Sequence, residues 1–257
     1  MLQTTNSASA GGESRSGKKI PRPHGCAGSI PASGTNTKAA SVQTEAAFLM
    51  GAALIQTERW FHGTTGPRFS TWQVPPPPVP GEELRVPHTG IFFTKDLDAA
   101  RKVGPYVCSV RLTDKTRILD ATQPSTDTEQ LRRVVIENEI ARMCIYARTP
   151  QAWVSAWRTG EVLRFASDDP RFSLHLDRYA KQFKGVPHDV QQTIAGHNWT
   201  RGWIELIVAS ATKLGFNALH GFEIDRHAGV SPPPAVSWLA VTDAEAVTAP
   251  MWEHAAP

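Results

Sequence analysis

Two short stretches, Phe61-His62-Gly63-Thr64-Thr65 and, about thirty residues on, Gly90-Ile91-Phe92-Phe93-Thr94, decide how this chain reads. The first begins apolar and ends on His-Gly, the pattern of a short strand entering a turn. Glycine there leaves its backbone N–H and C=O open to close approach, because no Cβ stands in the way. The second is an apolar, strand-like run. Behind it, Asp96 to Val103 reads as a helix and Tyr106 to Leu112 as an alternating strand, with Arg117 to Leu119 beginning another.

Further out, Ala46 to Thr57 is Ala-rich with apolar residues at helical spacing. Pro75 to Pro78, Pro80 and Pro87 force an irregular or polyproline-type loop, since proline lacks the N–H that a sheet requires. Asp127 to Tyr146 predicts one long amphipathic helix. Pro150 to Pro187 is mixed, with a turn at Asp168–Pro170 and a short helix around Leu174 to Phe183. Asp189 to Leu214 predicts a helix closed by Gly215. A short strand, Phe216 to Leu219, a Pro-rich loop at Ser231–Pro234 and a strand from Val236 to Val241 follow. Trp153 and Trp157, like Trp199 and Trp203, lie four apart and share a helix face, as core first and partner surface second. Helices mixed with many short strands predict an α+β fold with packed sheets rather than a βαβ array.

Composition excludes several classes. Hydrophobic residues make up 40% of the 257, too many for wholly disordered protein. Three scattered Cys give neither a disulfide framework nor a CxxC zinc site. The longest apolar stretch, Ala46 to Ile55, is half of the roughly 20 residues that span a bilayer, and no membrane partner is expected. The net charge of +3 is uneven. Residues 1–40 carry Arg15, Lys18, Lys19, Arg22 and Lys38 against Glu13. The remainder holds 22 basic and 23 acidic residues, a net −1. Phosphate recognition needs concentrated basic charge, so a nucleic-acid partner is disfavoured. The leader has no Phe, Trp or Tyr and is rich in Ser, Thr, Gly and Ala, too polar to offset its ordering entropy. We therefore expect residues 1–44 to be a disordered leader without a Sec signal, and 45–257 to form the folded domain.

The HGTT and GIFFT stretches, followed by a helix with Ala99–Ala100 and the strands in YVCSVRLTDKTRILD, resemble the NAD-binding half of the ADP-ribosyltransferase fold. The likeness is to the branch of diphtheria toxin and the poly-ADP-ribose polymerases, over 59–120 and more loosely 213–248. The resemblance implies a split β-sandwich with flanking helices and an added helical region at about 125–212 for partner recognition. It implies NAD+ as substrate and no metal. His62 would bond a ribose hydroxyl, Gly63 would match the carboxamide of nicotinamide, and Thr64 and Thr65 would add contacts. Gly90, at the start of the second strand, would also line the NAD+ site, with Phe92 as stacking ring where the family has Tyr. The family's second aromatic wall falls at Val103, with Tyr106 nearby.

The family also needs an acid at or near the start of a late strand, to stabilise the oxocarbenium-like transition state. Aligning VSWLAVTD on that strand puts Ser237 in its place. Glu223, in GFEID after the strand, is the preferred alternative, with Asp225 as runner-up, while Glu205 reads as structural. His220 and His227 lie near Glu223 but lack the spacing of a helical metal site. The implied activity is mono-ADP-ribosyl transfer from NAD+ to a host protein side chain, a threonine of ubiquitin being one candidate acceptor. NAD+ glycohydrolysis and an inactive NAD-pocket binding module are the alternatives. The Ser/Thr-rich leader fits a bacterial effector of the type III kind acting as a monomer in host cytoplasm.

Overall fold

The computed structural model describes residues 55, 57–77, 85–225 and 229–253. The expected leader, most of the Ala46–Thr57 helix and His227 lie outside these residues. Two sheets and a layer of helices make an α+β fold. One sheet joins β1 (Trp60–Thr64), β3 (Tyr106–Val110) and β7 (Met251–Trp252) in the order β1-β3-β7. The other runs β2-β6-β5-β4, from β2 (Ile91–Phe93), β6 (Ala235–Val241), β5 (Ala218–Ile224) and β4 (Ile118–Asp120). All pairings are antiparallel except β4 with β5.

Side chains alternate across a strand, so each sheet sorts its residues between two faces. Trp60 and Val110 from the first sheet meet Ile91, Phe93, Leu239 and Val241 from the second in an inter-sheet core. The other face of the second sheet carries Phe92, Trp238, Ala240 and Leu219 against the helices. Those helices are α2 (Thr126–Val135), α3 (Pro150–Thr159), α4 (Pro170–Ala180) and α5 (His188–Lys213). The remaining helix, α1 (Leu97–Val103), is capped by the Asp96 side chain and packs on β1. Trp153, Trp157 and Trp203 are buried and pack edge to face, the core role expected of them.

Three expectations are corrected. The long helix over 127–146 ends at Val135. The Asn138 carbonyl accepts the N–H groups of Ile140 and Ala141, a side-chain turn that competes with helical bonding, and short 3-10 turns follow. The helix expected near Leu174 starts at Pro170, which occupies the first helical position behind the cap Asp169. The late strand extends through Ile224, so Glu223 lies within β5, paired with Val236, rather than after the strand.

Candidate functional site

The two sheets touch at one edge. Phe61 and Thr94 exchange both backbone bonds, at 2.7 and 2.9 Å, and then the strands part. In a continuing antiparallel ladder, Gly63 would come opposite Phe92. Instead the His62 ring enters the gap and its Nδ1 lies 2.9 Å from the Phe92 carbonyl. A carbonyl only accepts, so Nδ1 carries the proton and the neutral ring presents Nε2 as an acceptor. Burial lowers the His62 pKa, partly opposed by the Phe92 bond, which favours that neutral form.

The same register frees Gly63. Backbone groups alternate in direction along a strand, and those of Phe61 go to Thr94, so those of Gly63 point into the split. They do not bond β3, because the paired Val107 turns the other way and accepts from Glu253 N–H. Among the described residues, no group bonds the Gly63 N–H or C=O. A donor and an acceptor side by side on one strand edge can bind a carboxamide in two bonds.

Glycine at 63 has a second cause that the sequence did not suggest. A Cβ there would stand 2.9 Å from the Ala100 carbonyl carbon and 3.0 Å from Val103 Cβ, closer still to the Ala100 oxygen. The close approach that requires glycine is to α1, the wall behind the split.

His62, Thr64 and Tyr106 fall on one face of the first sheet, since Thr64 and Tyr106 are cross-strand partners. The Thr64 hydroxyl accepts from Gly66 N–H at 3.0 Å, and Thr65 is exposed in the turn. Arg68 lies over the half-exposed Tyr106 ring, 5.8 Å from its centre. Gly90 packs against the end of β6, where a Cβ would come 2.9 Å from Val241 O. The Phe92 ring leaves on the helical face, stacked on Trp238 with centroids 5.4 Å apart, so a protein ring takes the partnership expected of nicotinamide. The His88 ring stands perpendicular to it at 4.6 Å.

Glu223 is not brought to this point. Phe92 is level with Ala240 and Leu219, and Glu223 is four residues further along β5, about 13 Å at ~3.3 Å per residue. It shares the helical face with Phe92 but sits at the other end of the sheet, where Gly160 packs on its backbone. Asp225 is ion-paired to Lys102 of α1 at 2.8 Å. Ser237 lies on the inter-sheet face, in register with Phe222. His220 is buried, with Nδ1 3.0 Å from Asp120, deep in the inter-sheet core beside Trp60.

A carboxylate does reach Phe92 through one intervening residue: Glu205 of α5, through His88. The sequence shows it only as an acid inside the apolar run WIELIV. Neither its pairing with the loop before β2 nor the role of Trp238 has a local signal.

No protein-family model and no curated protein matches the chain. Among solved structures, a crystal structure of an anti-CRISPR protein aligns at a TM-score of 0.33 and 13% identity, covering 77% of this chain and 98% of that one. Similarity at that level carries no argument about fold or function. Among the described residues, no group of three His, Cys, Asp or Glu could hold a metal, and no helix is long and apolar enough to cross a membrane.

Proposed function

We propose that this chain is an NAD+-dependent mono-ADP-ribosyltransferase built on a split β-sandwich of the ADP-ribosyltransferase type. The observation that carries the proposal is the split itself: a single Phe61–Thr94 bridge, His62 inserted beyond it, and the Gly63 N–H and C=O facing the gap. The nicotinamide carboxamide fits the Gly63 pair, and His62 Nε2 accepts from a ribose hydroxyl. The acceptor would be a protein side chain, with a ubiquitin threonine as one candidate, and the setting a host cell reached by secretion.

Calorimetric titration with NAD+ and nicotinamide release, for wild type and His62→Ala, test it. Wild type should bind NAD+ and release nicotinamide, and His62→Ala should lose at least about tenfold in affinity, the worth of one hydrogen bond to a buried group. A wild-type protein that neither binds NAD+ nor releases nicotinamide refutes the proposal. A second reading, a pocket that binds NAD+ without turnover, is favoured by the placement of Glu223 about 13 Å along the sheet and by Ser237 at the family's acid position. Binding without nicotinamide release would establish it.

A further inference from the structure

The loop entering β2 is fastened to α5 by a set of bonds that converge on Glu205. His88 Nδ1 lies 2.6 Å from one carboxylate oxygen, while the Thr89 N–H, at 2.9 Å, and its hydroxyl reach the other. Val86 N–H adds a bond to Asn198 at 3.1 Å. Burial opposes the Glu205 charge, but the bonds from His88 and Thr89 hold its carboxyl below the ordinary range. The ionised carboxylate only accepts, so His88 Nδ1 carries a proton, and the neutral form of the ring then has its lone pair on Nε2. Glu205 is almost enclosed, at 11% side-chain exposure, whereas His88 is partly exposed, at 27%.

Phe92 joins this pair to the split. Its carbonyl holds His62 and its ring packs on His88. One residue thus separates the carboxamide-binding edge from an imidazole oriented by a buried carboxylate. That arrangement is the one by which a histidine serves as a base.

We propose that His88, oriented by Glu205, is the general base for an O–H nucleophile that attacks the NAD+ ribose. This rests on the NAD+ reading of the split. The oxygen lone pair forms the new bond to ribose C1′, and the C1′–N bond breaks with its electrons passing to the nicotinamide nitrogen. The O–H proton moves to His88 Nε2 and from there to solvent. A base serves nucleophiles that arrive protonated, which selects an alcohol or water over a carboxylate acceptor. The same bonds could merely clamp the loop, and the test must separate the two roles.

The test uses the full chain with NAD+ in buffer, with and without methanol as the alcohol probe, comparing wild type, His88→Gln and His88→Ala. Expected products are ADP-ribose from water and its O-methyl glycoside from methanol. Both variants should keep NAD+ affinity within a few-fold and lose about 10²–10⁴ in turnover. Added imidazole should restore part of the His88→Ala rate. If His88→Ala does not fold, His88→Gln carries the comparison. Wild-type turnover in His88→Gln overturns the proposal. So does loss of NAD+ affinity in step with rate and no imidazole rescue, the signature of a clamp. A wild type that does not bind NAD+ removes the reading of the split as well, an outcome that titration alone recognises.

Discussion

Gly63→Ala tests whether helix packing fixes the residue at the split. The new Cβ would lie 2.9 Å from the Ala100 carbonyl carbon, inside the 3.5–4.0 Å of ordinary carbon contact. The obstacle is helix backbone in α1, not the tip of a flexible side chain, and Ala100 is itself buried. The Ala100 oxygen is closer still, so α1 or β1 must move by more than about 1 Å, and overpacking of this kind costs about 3 kcal/mol at the upper end of its usual range. For a domain of this size that lowers Tm by roughly 6–12 °C. Gly202→Ala is the internal control. It lies within α5, where a Cβ meets nothing within 4 Å, and the higher helix propensity of Ala should stabilise by about 0.8–1 kcal/mol. Thermal unfolding of both variants therefore has opposite expected signs from the same chemical change. Gly63→Ala as stable as wild type would show that α1 does not press on β1, and the account of the split's rear wall would fall with it.

Two further outcomes follow from the buried groups. Burial opposes the charge of Asp120, but hydrogen bonds from His220 and Thr122 hold its pKa below the ordinary value. A lowered folded pKa gives stability that is present above the unfolded value near 4 and lost as pH falls through the folded value. Asp120→Asn should cost about 3 kcal/mol at neutral pH by breaking the buried pair and should flatten the acid limb of a urea-midpoint-versus-pH curve; an unchanged acid limb contradicts this account. Burial pushes the Cys108 thiol up to about 12 and raises that of Cys144. Mass spectrometry after iodoacetamide should find both unmodified in the native protein and modified once it is unfolded, and rapid native labelling of either would place it at the surface.

The elements whose cause is local were legible. Asp96 caps α1, Gly215 ends α5 at φ +85°, and the alternation in YVCSV marks a strand buried along most of its length. The helix over 127–146 was not, because its apolar spacing continues past Val135 while Asn138 supplies a competing turn. The end of β5 was missed for a different reason. Polar residues near a proline-rich loop look like loop, yet β5 gains its last residues from pairing with β6 as far as Ile224 and Ala235. Pairing is a property of two distant segments, and neither segment alone encodes it.

The same distinction explains why the sequence does not place an acid beside the split. His62 and Gly63 are adjacent, so their joint placement follows from one strand and its period. An acid that serves them comes from elsewhere in the chain, and its placement depends on register, where a shift of one residue changes the face and a shift of four moves it about 13 Å. Glu223 fits the sequence expectation for an acid beside a late strand, but the β2-β6-β5 register carries it to the far end of the sheet. Glu205 is 117 residues from His88, and the pair meets only because α5 lies across the helical face. An acid flanked by Ile204 and Leu206 reads as structural until its partner is known. The proposal that Glu205 acts through His88 rests on the partly exposed imidazole on its other side.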